Sequence, residues 1–221
     1  MDVSFIFPKP LETFREFFAY LKSSAFWKAL GMSLWRSTYA FIISFIIALA
    51  FAVLSAVSNV ARKLISPVMA IVRALPTIAI ILTLIIWFGK SKAPAAVAII
   101  VICPTLYSAF FAAISNVDVK LAQMSRVYRV SKKDVLFKLY LPGMAEGLFE
   151  GSASGFSLNI KLVIAAEAIA QTPNSIGKTM SFAKILLDTQ KLFALTVAAV
   201  LVSIFCEYLI RLIKRAVIRW K

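Results

Sequence analysis

Residues 38–58 form a stretch without a single charged side chain, bounded by Arg36 before it and by Arg62 and Lys63 after it. An α-helix needs about 20 predominantly apolar residues to cross the hydrocarbon of a bilayer, so this stretch constrains the chain more than any other feature. Four more stretches repeat the pattern: 64–89 with one charge (Arg73) and Pro76, 93–117 with no charge and Pro104, 142–170 with Lys161 and Glu167 among its charges, and 192–210 with only Glu207. Hydrophobic residues make up 61% of the 221-residue chain and charged ones 16%, too apolar for a soluble surface. The expected fold is therefore an all-α integral membrane protein with about five transmembrane helices. Residues 1–30 read as an N-terminal amphipathic segment, because Phe14, Phe17, Phe18, Leu21 and Ala25 recur on one face among Glu12, Arg15, Glu16 and Lys22. Residues 31–221 read as a single transmembrane domain.

The formal net charge of +15 would point to nucleic acid in a soluble chain, but in a membrane chain it is the signature of loops retained in the cytoplasm. The loop at 62–63, the segment 118–141 and the tail 211–221 together carry thirteen Lys and Arg. The opposite loops carry Lys90, Lys92, Lys178, Lys184 and Lys191. The richer side is assigned to the cytoplasm, which puts the C-terminus inside and the amphipathic segment on the outer surface. The chain has no histidine, which excludes Ser-His-Asp triads and histidine metal sites. Cys103 and Cys206 lie in apolar runs without CxxC spacing, so they support neither a disulfide framework nor zinc. Gly177-Lys178-Thr179 ends like a P-loop, but the position that needs its first glycine holds Thr172. The chain is thus not expected to hydrolyse ATP.

Two features of the fourth span bear on packing and transport. Gly143, Gly147, Gly151 and Gly155 recur every four residues and form a stripe that permits close helix contact, within the subunit or against a second one. Lys161 and Glu167 are costly in hydrocarbon and must face a cavity, a partner charge or an interface; a solute pathway is the sharper reading and a buried structural pair the plainer one.

Residues 118–141 carry two short helical patterns, Leu121, Met124, Tyr128 and then Val135, Leu136, Leu139, with Ser131 and Asp134 forming a capping box for the second. Their apolar faces sit among Arg126, Arg129, Lys132, Lys133 and Lys138 and require cover from lipid headgroups or a soluble partner. Gln123-Met124-Ser125, then Arg129, then Leu139-x-Leu141-Pro142 resembles in spacing the EAA loop of bacterial ABC importer permeases. Arg73-Ala74-Leu75-Pro76-Thr77-Ile78-Ala79, Trp87-Phe88-Gly89, Ala165-Ala166-Glu167 and Ser175-Ile176-Gly177 resemble the nitrate/sulfonate/taurine class of that superfamily. Gln123, Ser125 and Arg129 depart from the family's glutamate, alanine and glycine.

The resemblance implies a type I ABC importer permease fold with a cytoplasmic coupling-helix loop at 118–141. It also implies location in the bacterial cell membrane and alternating access driven by two separate ABC ATPase subunits. Further implied partners are a second permease subunit and an extracytoplasmic solute-binding protein; no cofactor is expected in this chain, ATP and Mg residing on the ATPase. The docking residues it implies are Leu121, Gln123, Met124, Ser125, Arg126, Tyr128, Arg129 and Ser131. The solute pathway or gate is expected at Arg73, Pro76, Asn159, Lys161 and Glu167, and the solute to be a sulfonate, nitrate or taurine-like anion or a thiamine-precursor-like compound. The competing reading is a stand-alone oligomeric channel or carrier; a membrane enzyme lacks a clustered catalytic set.

Overall fold

A computed structural model describes residues 10–117, 119–128 and 130–218, and the described residues contain helices and no strand. The order is α1 (Pro10–Leu21), α2 (Ser24–Val57), α3 (Asn59–Ala74), α4 (Thr77–Ser115), α5 (Val119–Val127), α6 (Lys132–Val135), a π-type turn (Leu136–Tyr140), α7 (Leu141–Ala170), α8 (Ile176–Ile185) and α9 (Thr189–Val217). Helices spanning Ser24–Val57, Thr77–Ser115, Lys133–Ala170 and Thr189–Val217 are long and apolar enough to cross a membrane. Helix is the only open-ended structure that satisfies its own backbone hydrogen bonds in hydrocarbon.

The expected second span, 64–89, is not one helix. It is divided between α3 and the first turns of α4, with Leu75 and Pro76 outside both. Proline lacks an N–H and pushes the residue before it out of the helical region, so the chain stops at Ala74 and restarts where the Pro76 carbonyl accepts the N–H groups of Ala79 and Ile80. A second interruption falls at Gly89, whose φ of 71° and ψ of 171° no residue with a Cβ adopts comfortably. The first span also begins earlier than the charge pattern implied, since α2 starts at Ser24 and runs through residue 30 without a boundary.

By their contacts the described residues fall into two compact units. One comprises the chain up to Ile42 with Leu75–Ile99 and Phe156–Cys206; the other comprises Ile43–Ala74, Ile100–Gly155 and the chain from Glu207 onward. In the first unit, Phe26, Ala29 and Leu30 of α2 meet Ile160 and Ile164 of α7, Ile176 of α8 and Leu195 and Ala198 of α9. The amphipathic helix α1 lays Phe17, Tyr20 and Leu21 on this cluster and leaves Phe14 and Phe18 exposed. Its apolar stripe is therefore split between the protein and its surroundings.

In the second unit the glycine stripe meets α4. A Cβ on Gly147 would lie 2.6 Å from the Ala113 Cβ, and one on Gly151 would lie 2.9 Å from the Ala109 Cβ. Gly143 faces Val117 and Gly155 is buried. Backbones this close leave no room for even one methyl group. Gly147→Val should therefore destabilise the protein by about 1–3 kcal/mol through overpacking. Gly31→Ala, at a helical position with open space around it, should raise stability by about 0.5–1 kcal/mol. Thermal melts of the two detergent-purified variants check the pair, and equal shifts would refute the contact.

Candidate solute pathway and docking surface

The first unit holds a buried charge pair. Glu167 lies near the end of α7, fully buried, and its Oε1 accepts a hydrogen bond from Arg36 Nη1 of α2 at 2.9 Å. Its Oε2 accepts from the Ser33 hydroxyl at 2.7 Å and from the Gly177 N–H at 3.4 Å. Ser33 in turn accepts from the Ile176 N–H at 3.1 Å, so the carboxylate sits over the first turn of α8, where unpaired amides favour an anion. Arg36 uses its other nitrogen to donate to the Pro173 carbonyl at 3.2 Å, tying down the turn between α7 and α8.

Glycine is required at the centre of this arrangement. A Cβ on Gly177 would stand 2.3 Å from the Ile164 carbonyl oxygen and 2.6 Å from the Ala168 nitrogen, so α8 lies directly on the α7 backbone. That contact brings its amides within reach of Glu167. Ser175 caps α8, accepting from the Lys178 N–H at 3.1 Å. Asn159, two turns before Glu167, donates to the Ser37 carbonyl at 2.8 Å and keeps its own carbonyl oxygen without a hydrogen-bond partner among the described residues.

Beside this pair, α7, α8 and α9 enclose an open cavity of about 660 Å³. Ile164, Ile169, Met180 and Leu192 make its walls apolar, while Ser181, Thr196 and Ser203 supply hydroxyls. Two cations reach it, Lys161 and Lys184, neither in an ion pair among the described residues. Among the described residues no carboxylate lines it. The electrostatics of this wall therefore favour an anion with an apolar body.

The remaining expected pathway residues stand elsewhere. Arg73 belongs to the second unit and donates to the Pro104 carbonyl at 2.8 Å and to the Ser108 hydroxyl. Pro76 occupies the break between α3 and α4. Lys161 thus shares a cavity with Lys184, and Glu167 with neither. Reading the sequence missed Arg36, Ser33 and Lys184. Ser33, Arg36 and Ser37 follow the i, i+3, i+4 spacing of one helix face, a signal that the charge-to-charge bounding of the first span concealed.

In the second unit the docking segment exposes its apolar side. Leu121, Met124 and Tyr128 are exposed and border a cavity of about 560 Å³ with Ser125, Val130, Val135 and Leu139. Gln123 lines a smaller cavity with Ser55, Asn59, Arg62 and Tyr140. Ser131 accepts from the Asp134 N–H at 3.1 Å and donates to the Asp134 carboxylate at 2.6 Å, a capping arrangement at the start of α6. Arg129 and the Arg126 side chain lie outside the described residues.

Residues 47–219 match the family described as "Binding-protein-dependent transport system inner membrane component". The chain belongs to this family. As a binding-protein-dependent transport component it is a multi-pass inner-membrane transport subunit and not an enzyme. Among curated relatives, it is 25% identical over 218 residues to the putative aliphatic sulfonates transport permease protein SsuC of Escherichia coli, covering 97% of this chain and 82% of the relative. It is 23% identical to the taurine transport system permease protein TauC of the same organism, covering 88% of this chain and 70% of that one. A solved structure described as inward-facing conformations of the MetNI methionine ABC transporter matches with a TM-score of 0.75 at 16% identity, over 88% of this chain and 97% of the other. That likeness shows the fold, a type I importer permease.

For this transport component, Glu167→Gln should leave Arg36 buried and unpaired and cost about 3–5 kcal/mol, whereas removing both charges with Arg36→Met and Glu167→Leu should cost less than the two single changes added together. A double-mutant cycle of melting temperatures in detergent measures the coupling. Additive shifts would show that the two charges do not depend on each other.

Proposed function

We propose that this chain is the membrane-spanning subunit of an ATP-driven importer that carries a small aliphatic sulfonate-like anion. The observation that supports the solute class is the cavity between α7, α8 and α9, with two unpaired lysines, hydroxyls and apolar walls but no carboxylate. A sulfonate headgroup would receive charge-assisted hydrogen bonds from Lys161 and Lys184 while its alkyl portion lies against Ile164, Ile169 and Leu192. The relatives named for aliphatic sulfonate and taurine transport support the same class.

In this reading two ATPase subunits dock on the segment around Leu121, Met124 and Tyr128, whose exposed apolar faces need cover. A second permease subunit completes the pathway, and an external binding protein delivers the anion. The C-terminus and the docking segment lie in the cytoplasm in this reading, which the distribution of Lys and Arg supports. ATP-driven closure of the ATPase pair shifts the permease between inward-open and outward-open states, which it can do only through contacts that differ between those states.

The test is uptake of labelled taurine and of butanesulfonate into vesicles reconstituted with the chain, its ATPase and its binding protein. Hydrolysis should require the ATPase subunit, and Tyr128→Asp should abolish its co-purification while the permease still folds. Lys184→Gln and Lys161→Gln should each raise the half-saturating concentration by about tenfold or more, the loss expected for one hydrogen bond to a charged group. Unchanged concentrations in both variants would remove the lysines from the pathway, and uptake of neither probe would overturn the sulfonate class.

A further inference from the structure

Three of the ten acidic residues of the chain meet two cations where the base of α7 faces the end of α9. Lys214 Nζ lies 2.8 Å from Glu150 Oε1 and 3.3 Å from Glu146 Oε1. Arg211 lies 2.9 Å from Glu207 and 3.7 Å from Glu150. Glu146 and Glu150 are one turn apart, so a single lysine bridges successive turns of α7. Lys214 is the least exposed member, its side chain 19% accessible, which places its stem against the protein and its charge between the two carboxylates.

The location of this cluster distinguishes it from a scattered surface pair. Gly143, Gly147 and Gly151 occupy the neighbouring flank of the same turns, Gly147 and Gly151 pressed on Ala113 and Ala109 of α4 and Gly143 on Val117 just beyond its end. The base of α7 is therefore held on one flank by steric contact with α4 and on another by ion pairs to α9. It is also continuous, through the π-type turn Leu136–Tyr140, with α6 of the docking segment. The glycine contacts couple the docking segment to α4, the helix that enters it. Along the other flank, Glu146 and Glu150 hold Lys214 of α9, a helix remote from the segment in sequence but continuous from Thr189 to Val217.

We infer that Lys214 is a positioning residue for transport: it makes the end of α9 follow the base of α7 when the docking segment is displaced by its ATPase. Among the described residues Arg211 reaches α7 through the longer contact to Glu150, at 3.7 Å, so Lys214 makes the closer link between the two helices. The inference rests on the ATPase-docking reading above and extends it from the docking helices to α9.

Hydrogen–deuterium exchange on the complex of the full chain with its co-purified ATPase tests it, comparing the nucleotide-free state with the state trapped by ATP and vanadate. In the parent, exchange in residues 132–140 and in residues 207–217 should change together. In Lys214→Gln the change at 132–140 should persist and that at 207–217 should fall at least twofold, and the reciprocal pair Lys214→Glu with Glu150→Lys should restore it. A merely structural role would raise exchange at 207–217 equally in both states and leave the nucleotide response intact, which would overturn the inference. So would a parent whose 207–217 segment does not respond. If no ATPase co-purifies with the parent, the docking reading itself fails and the inference falls with it; if the ATPase docks and Lys214→Gln responds as the parent does, only the inference fails.

Discussion

An ionised carboxylate cannot remain unpaired in a medium without water, and the packing of the first unit follows from how Glu167 meets that requirement. Its two oxygens take three donors from two other helices: Arg36 and Ser33 of α2 and the Gly177 amide of α8. A pair of this kind adds little stability over an apolar replacement of the same shape. What it adds is position. Because each donor has one place to stand, α2, the end of α7 and the start of α8 are fixed in register, and the turn between α7 and α8 is held through the Pro173 carbonyl. The cavity lined by Lys161 and Lys184 is built from the same two stretches of α7 and α8, so its shape depends on a charge pair that does not line it.

The same medium explains why interruptions in the helices are few and chemically specific. Each break frees backbone groups that hydrocarbon cannot satisfy. The break after Ala74 occurs at Pro76, which has no N–H to lose and whose carbonyl starts the next helix. The bend within α4 occurs at Gly89, whose backbone angles are open to glycine and to almost nothing else. The widened turn at Leu136–Tyr140 ends two residues before Pro142, where an ordinary helical turn would set the ring against the carbonyl four residues back.

These determinants differ in how legible they are from sequence. Spans were readable because length and charge-free runs are local properties, so 142–170 and 192–210 fall within long helices, and 38–58 and 93–117 overrun theirs by only one and two residues. The 64–89 stretch read as one uninterrupted span because hydropathy averages across a proline, whereas the backbone helix breaks there. The glycine spacing marked a close contact but could not name its partner; Ala109 and Ala113 are recognisable only once α4 and α7 are antiparallel neighbours. Glu167 stood out by its cost, yet Arg36 lies 131 residues away and was absorbed into the boundary of a span. Lys184 was counted as a loop charge, because the short helix α8 that carries it gives too little apolar periodicity to be read.

Where cations remain unpaired is therefore more informative than where they are abundant. A net charge of +15 by itself says nothing of where a solute would bind. Within the first unit, Arg36 has its carboxylate, while Lys161 and Lys184 stand at a cavity wall with hydroxyls and hydrocarbon around them. A lysine facing such a wall keeps its charge solvated only while the cavity is wet or an anion is present. Closing the cavity around a neutral solute would strand two ammonium groups, and closing it around an anion would satisfy them. In the proposed importer, the unpaired lysines would select for charge at the step that excludes water, and the apolar walls would select for the body attached to it.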